Sequence, residues 1–403
     1  MNQAAYSFPV NDSLARRNAL LLAFAQAIGG ASASIVIASA SLVGAAMLGA
    51  DKHLATVPVS AMVLGTAIGT LPAGLIMRRY GRRTGFAGAS IWACASALLA
   101  AYSVLIGAFW LFSLACAGSG FAGAFAQQYR FAAADTASDA FKPKAISWVM
   151  AGGVLAGVVG PQTVILTKES LPPFLFAGTY VAQAGLALIA LCLVLFLKIP
   201  RPAPVSQTGG GRPMRQIMAQ PRFIVAAACG ITSYALMSLV MTATPLAMIG
   251  CGFDANDAAL GIQWHVLAMF GPSFFTGNLI ARFGKERVVA TGLALLAACA
   301  TVALMGVELA HFWGALILLG LGWNFGFIGA TAMLTETYRP EERNMVQATN
   351  DFLVFGFVAA ASFSSGQLLE NFGWTTVNWI VFPFVILSLC LLAWLLSHER
   401  KSQ

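Results

Sequence analysis

Arg130 is the residue of this sequence whose chemistry most demands a setting. It stands in Gln127-Gln128-Tyr129-Arg130, five positions ahead of Asp135 and inside a long apolar stretch. A guanidinium there can offer a planar fork of donors to a carboxylate or carbonyl of a solute, or it can form a structural ion pair with Asp135. His265, in Gln263-Trp264-His265, raises a similar choice. Its imidazole can carry a proton or hydrogen-bond a solute, and it can equally be satisfied inside the protein. Tyr234, Trp323 and Asn324 contribute ring faces and an amide, the groups that hold a flat polar molecule. Trp264 can stack on such a molecule or pack between helices. Asp351 can take part in proton coupling, or it can complement the positive end of the helix that it opens.

These groups do not assemble into a reaction centre. The His, Asp and Glu residues are dispersed, mainly to the ends of apolar stretches. No glycine loop for phosphate opens a helix after a strand, and the seven cysteines form no CxxC or zinc-like spacing. The expectation is a binding protein without catalytic residues, metal or cofactor. A membrane-embedded enzyme or a sensor on the same scaffold is the alternative of another class.

The elements that position these residues follow from composition. With 59% hydrophobic and 9% charged residues and a mean hydropathy of +0.78, the chain is excluded from the soluble class, whose domains carry about 25% charge. Crossing ~30 Å of hydrocarbon takes ~20 helical residues. Apolar stretches of that length run at 19–48, 55–77, 84–106, 109–135, 145–167, 174–197, 222–250, 258–281, 287–307, 312–337, 345–368 and 375–397. The fold class is therefore an all-α membrane protein, with twelve transmembrane helices in two pseudo-symmetric six-helix bundles. Residues 1–197 form the first bundle, 198–221 a Pro-, Gly- and Arg-rich linker, and 222–403 the second bundle. Arg16-Arg17 precede an apolar stretch too long for a cleaved signal, so that stretch reads as the first membrane helix.

Depth gives Arg130 and His265 their interest. On a helix entering from outside, Arg130 lies roughly 7–8 Å inward from the end at Asp135, and His265 lies ~12 Å from the outer end at Asp257. Helical side chains lean toward the N-terminus, which turns Arg130 toward the membrane centre. Gly120, Gly123, Gln127 and Arg130 then share one face, with Gln128 alongside.

The net charge of +8 could suggest nucleic acid, but its distribution does not. Twenty of the 23 Lys and Arg fall in alternate loops and the termini; only Lys52 and Lys168 fall on the other side, with Arg130 inside a helix. By the positive-inside rule both termini are cytoplasmic, in a multi-pass protein of the inner membrane. The partners expected are the bilayer, a small-molecule substrate and protons, with no nucleic acid. The expected state is a monomer.

One short pattern occurs twice. Gly74-Leu75-Ile76-Met77-Arg78-Arg79-Tyr80-Gly81-Arg82 returns 203 positions later as Gly277-Asn278-Leu279-Ile280-Ala281-Arg282-Phe283-Gly284-Lys285. Gly118-Ser119-Gly120 and Gly320-Leu321-Gly322 repeat at nearly the same offset. Two homologous halves suit a carrier, whose bundles rock about a site between them. Each copy sits in a tight turn on the inner side, where glycine permits the reversal and cations meet a helix C-terminus. Asp135, Glu336 and Asp351, at nearby inner helix ends, are candidate partners for those cations in a cytoplasmic gate, or are solvated carboxylates.

The repeated pattern resembles the signature loop of the major facilitator superfamily, G-x-L-a-D-R-x-G-R-K, and the twelve helices, linker and two-fold repeat match the same family over nearly the whole chain. The resemblance implies transport of a small organic solute by alternating access, through secondary active or facilitative movement. It also implies a cytoplasmic charge lock at Gly74, Arg79, Gly81, Arg82, Gly277, Arg282, Gly284 and Lys285. Arg78 and Ala281 replace the acid of the pattern, so this chain must build its lock from other carboxylates. Gly153 to Pro161 resembles the antiporter motif of the family, but Cys116 stands where drug antiporters carry an arginine. A proton-coupled multidrug exporter is thus the alternative. Ala243-Thr244-Pro245-Leu246-Ala247-Met248, Gln263-Trp264-His265 and Pro272-Ser273-Phe274-Phe275-Thr276-Gly277 resemble a subgroup of bacterial carriers that includes riboflavin transporters. An organic anion or a planar polar metabolite is the cargo this combination implies.

Overall fold

The computed structural model of the protein describes residues 12–49, 52–135, 137–138, 141–199, 211–339 and 342–402. Most of the expected linker, part of the 139–144 loop and the side chain of Arg78 lie outside the described residues. Among the described residues there is no strand. The first half of the chain contains α1 (Asp12–Gly29), α2 (Ala31–Leu48), α3 (Val57–Tyr80), α4 (Arg82–Ile106), α5 (Phe109–Ala126), α6 (Tyr129–Ala134), α7 (Lys142–Thr167) and α8 (Ala177–Leu195). In the second half are α9 (Met214–Met218), α10 (Pro221–Gly250), α11 (Ala255–Phe270) and α12 (Ser273–Phe283). It continues through α13 (Lys285–Met305), α14 (Leu309–Leu334), α15 (Arg343–Trp379) and α16 (Val381–Ser402). A helix pairs its own backbone groups, which is why an apolar chain in lipid adopts it throughout.

Among the described residues, ten helical runs are long and apolar enough to cross a membrane. One of them, Met345–Glu399, is 55 residues long and bends at Gly373, whose φ of 79° reverses the chain between the eleventh and twelfth spans. The eighth expected span is absent from the ten because it is broken at Gly271-Pro272 into α11 and α12. Counting both restores twelve. The expectation of an uninterrupted helix over 258–281 is corrected accordingly, since proline brings no N–H to continue the ladder. Likewise 109–135 is not one helix. It breaks at Gln127-Gln128 between α5 and α6.

The chain packs into two compact units, and the division does not follow the repeat. One unit contains the chain up to Ile37 together with the segment from Leu64 into the linker; the other contains Ala38–Val63 and the chain beyond the linker. In the first unit, Ala15, Ala19 and Leu22 of α1 share a core with Met77, Phe86, Phe125, Tyr129 and Val149. Phe86 and Tyr129 meet edge to face at 4.7 Å. The ends of the unit are tied: Ser138 donates from N and Oγ to the Asp12 carboxylate, at 2.9 Å each. Asn18 exchanges hydrogen bonds with the backbone of Lys198.

In the second unit, α10 lies against α14 and α15, and α13 against α14. The Ala38–Val63 segment joins it through hydroxyl groups. Ser60 donates to Ser362 Oγ at 3.0 Å and can turn to Thr56 O at 3.1 Å in its own helix, while Thr242 lies 3.4 Å from Ser362. Gly366 is required at this seam, because a Cβ there would come within 2.5 Å of Thr56 Oγ1. At the other end, Glu342 is 1% exposed and receives hydrogen bonds from Arg212 N (2.8 Å), Arg212 Nη2 (2.7 Å) and Arg339 N (2.9 Å). Arg222 joins α10 to Glu286, Glu336 and Glu399, with a bidentate pair of bonds to Glu399 at 2.7 and 2.9 Å.

Candidate substrate site and paired turns

The two copies of the repeated pattern fold alike. Gly81 has φ 87° and ψ 158°, and Gly284 has φ 86° and ψ 150°, a backbone region open in practice only to glycine. The preceding arginine covers the next ring in both, Arg79 over Tyr80 at 5.3 Å and Arg282 over Phe283 at 5.2 Å. The following cation reaches the acid that ends a nearby helix of its own unit. Arg82 pairs with Asp135 through Nε and through Nη2 at 3.1 Å, and Lys285 pairs with Glu336, which also meets Arg222. Asp351 is half-buried on α15.

Position decides what the glycines of this pattern do. Gly284→Ala should lower stability by about 1–3 kcal/mol, from the forbidden φ/ψ alone. Gly277→Ala, where a Cβ would have nothing within 4 Å, should leave it unchanged or slightly higher. Thermal melting of the two purified variants checks this, and equal melting temperatures would contradict the assignment. Gly74 is open in the same way.

On the first unit, Gln127 and Arg130 are exposed, Gln128 is half-buried and Tyr129 is buried. The Arg130 guanidinium lies 4.8 Å from the ring centre of Phe131. No glycine or proline marks the break at Gln127-Gln128, so composition gave no sign of it.

The second unit gathers rings. Tyr234 of α10 meets Trp323 (5.4 Å) and Phe327 (5.1 Å) of α14 and Phe355 (5.6 Å) of α15, each edge to face. Trp323 stacks on Phe327 at 5.3 Å and 20°, and Phe270 at the end of α11 approaches Trp323 to 6.1 Å. Trp323 is 7% exposed and its indole N–H has no hydrogen-bond partner among the described residues. A buried donor left unpaired costs about 1–3 kcal/mol unless a ligand or water meets it. The arrangement can hold a flat ring by stacking and edge contacts and can donate one hydrogen bond to it. Sequence reasoning found Tyr234 and Trp323 and missed Phe270, Phe327 and Phe355; the four-residue step from Trp323 to Phe327, one helical face, was the available signal.

Four other expected residues of this unit are not among these ring contacts. Trp264 is 42% exposed. His265 is 0% exposed and its Nδ1 lies 2.9 Å from Leu316 O; a carbonyl only accepts, so Nδ1 carries the proton and Nε2 is a buried acceptor. Asn324, also 0% exposed, is committed to the protein through both amide atoms, donating to Met269 O (2.7 Å) and Ser273 Oγ (2.8 Å) and accepting from Thr276 (2.6 Å). Gln263 is half-buried on α11.

Comparison with known proteins fits these features. The sequence is 51% identical over 377 residues, covering 93% of this chain and 94% of the other, to the riboflavin transporter RfnT of Brucella anthropi. It is 29% identical to the MFS-type transporter YddS of Bacillus subtilis, covering 97% of this chain and 93% of the other. A crystal structure of the nucleoside transporter NupG shares the fold with a TM-score of 0.72 at 14% identity, over 94% of this chain and 99% of that one. The profile of the Major Facilitator Superfamily matches residues 22–275 and 264–403. This multi-pass membrane protein, a transporter of small solutes and not an enzyme, belongs to the major facilitator superfamily.

Proposed function

We propose that the protein carries riboflavin, or a solute with the same flat ring system, across the inner membrane by alternating access. The observation that carries this reading is the ring cluster of Tyr234, Phe270, Trp323, Phe327 and Phe355 with the unpaired Trp323 N–H. An isoalloxazine is planar, apolar on its faces and lined with carbonyl and ring-nitrogen acceptors, which is the complement of stacked rings and one donor. The name of the Brucella anthropi relative supports the same cargo.

Residues 1–197 and 222–403 are the two bundles of this reading, 198–221 joins them, and both termini are cytoplasmic because 20 of 23 cations fall on that side. One chain holds both repeats, so a monomer suffices. Gln127, Gln128 and Arg130 are the proposed polar groups of the first unit, with Gln263 in the second. Arg82 with Asp135 and Lys285 with Glu336 brace the inner turns. Of the two coupling candidates, Asp351 is favoured, because the His265 N–H is already given to Leu316 O.

Uptake of labelled riboflavin by proteoliposomes containing the purified protein tests this reading. Saturable uptake that competes with the bare tricyclic ring, and that rises when a proton gradient is imposed, is expected. Uptake no greater than that of empty liposomes would remove the substrate, and uptake indifferent to the gradient would remove Asp351 as a coupling group.

A further inference from the structure

The break between α11 and α12 has a purpose-built partner. Pro272 brings no N–H to Ala268 O, and beyond it the pairing shifts register, with Phe274 N reaching Gly271 O and Phe275 N reaching Pro272 O at 2.9 Å. Carbonyls on the α11 side are thereby stranded within the membrane, where each needs a donor. Asn324 of α14 supplies one. Its amide N–H groups go to Met269 O before the break and Ser273 Oγ after it, and its oxygen can accept from Thr276 one turn further on, whose hydroxyl can turn instead to Pro272 O. The amide thus staples both pieces of the broken helix to α14.

The residue that follows Met269 is Phe270, a wall of the ring cluster, and the residue before Asn324 is Trp323, the ring that Phe270 faces. We infer that Asn324 is a positioning residue for the substrate ring: by holding Met269 O it fixes where the Phe270 ring stands against Trp323, and so the aromatic surface that the cluster offers to a flat tricyclic ring. The inference rests on the proposed riboflavin reading for its ligand, while the staple itself does not. Asn324 makes no contact with cargo; it acts through Phe270. The sequence-based expectation that Asn324 binds substrate directly is replaced by this indirect role, because its amide is saturated inside the protein. Lys285, which opens α13 two residues after α12 ends, pairs with Glu336 just beyond the end of α14.

A binding cycle on the full-length purified carrier tests it, with the affinity for riboflavin read from quenching of flavin fluorescence. Asn324→Ala and Phe270→Ala are each expected to weaken binding about 10-fold, and the double variant also about 10-fold rather than about 100-fold, since contacts on one route do not add. A general structural loss would move binding independently of Phe270. Additive losses, unchanged affinity in folded Asn324→Ala, or unchanged affinity in Phe270→Ala would each overturn the inference. Hydrogen exchange supplies a ligand-free arm: amides of residues 269–276 should exchange faster in Asn324→Ala, with those of α14 unchanged. If the wild type fails to bind riboflavin, the substrate reading falls and this arm alone decides the staple, with unaltered exchange at 269–276 counting against it.

Discussion

Tyr234→Ala should bind riboflavin about 10- to 100-fold more weakly than the wild type, the largest loss expected from any single ring of the cluster. Tyr234 touches Trp323, Phe327 and Phe355, so its removal takes away one face for the ligand and frees three other rings. Stacking of a flat heterocycle on an aromatic side chain is worth about 1–3 kcal/mol, which sets the range. The side chain is half-buried, so its truncation does not hollow a sealed core, and the variant should fold. Tyr234→Phe keeps the ring and should stay within about 3-fold of wild type, a difference under 1 kcal/mol. Titration of both variants decides the matter: wild-type affinity in folded Tyr234→Ala would exclude the cluster from the substrate site, and a Tyr234→Phe as weak as Tyr234→Ala would shift the weight from the ring to the phenol hydroxyl.

Arg212→Ala should cause the largest loss of thermal stability among the ion-pair variants. Glu342 is buried and depends on Arg212 for both side-chain and backbone hydrogen bonds, with Arg212 also donating to Thr337 O at 3.0 Å. Removing the side chain leaves the buried carboxylate only the backbone N–H groups of positions 212 and 339, with no counter-charge, and breaking a buried pair costs far more than the pair contributes relative to apolar replacements. The hydrogen bonds from Arg212 hold the Glu342 carboxyl well below its ordinary value of 4.5. For an acid whose pKa falls on folding, the stabilisation is complete above the unfolded value and declines as pH drops below it. The gap in melting temperature between wild type and Arg212→Ala should therefore be full at pH 7 and begin to narrow only below about pH 4.5. A gap that narrows between pH 8 and 6 would place the effect on some other group.

The paired turns were legible because everything that makes them is local. A glycine, a cation and a neighbouring helix-end acid recur at one spacing, and the two glycines take the same backbone angles. Arg82 meets Asp135 and Lys285 meets Glu336 for the same reason: few charges exist in so apolar a chain, and those at one depth find each other. The ring cluster was only half legible. In lipid a helix is apolar on every face, so periodicity does not say which side is inward, and Trp264 and Trp323 read alike although one is exposed and the other buried. The break at Gly271-Pro272 was written in the sequence and masked by the hydropathy of the surrounding run, whereas the break at Gln127-Gln128 was not written in Gly or Pro at all. Asn324 was identified as a polar residue of interest, but its partners lie 48 to 55 positions away, and no spacing rule connects an amide with a carbonyl at that separation.

The seam at Ser60 sets a schedule for biogenesis. Ser60 and its partner Ser362 are separated by 302 positions. At a synthesis rate of about 5–20 residues per second, Ser60 is in the bilayer ~15–60 s before Ser362 exists. For that interval the Ser60 hydroxyl must be satisfied within its own helix, and the carbonyl of Thr56, 3.1 Å away, is already there to accept it. The early hairpin can thus be inserted and left waiting without stranding the Ser60 hydroxyl. A hydroxyl that can bond at home makes this contact reversible at birth, and for the same reason gives the finished protein a joint that can part.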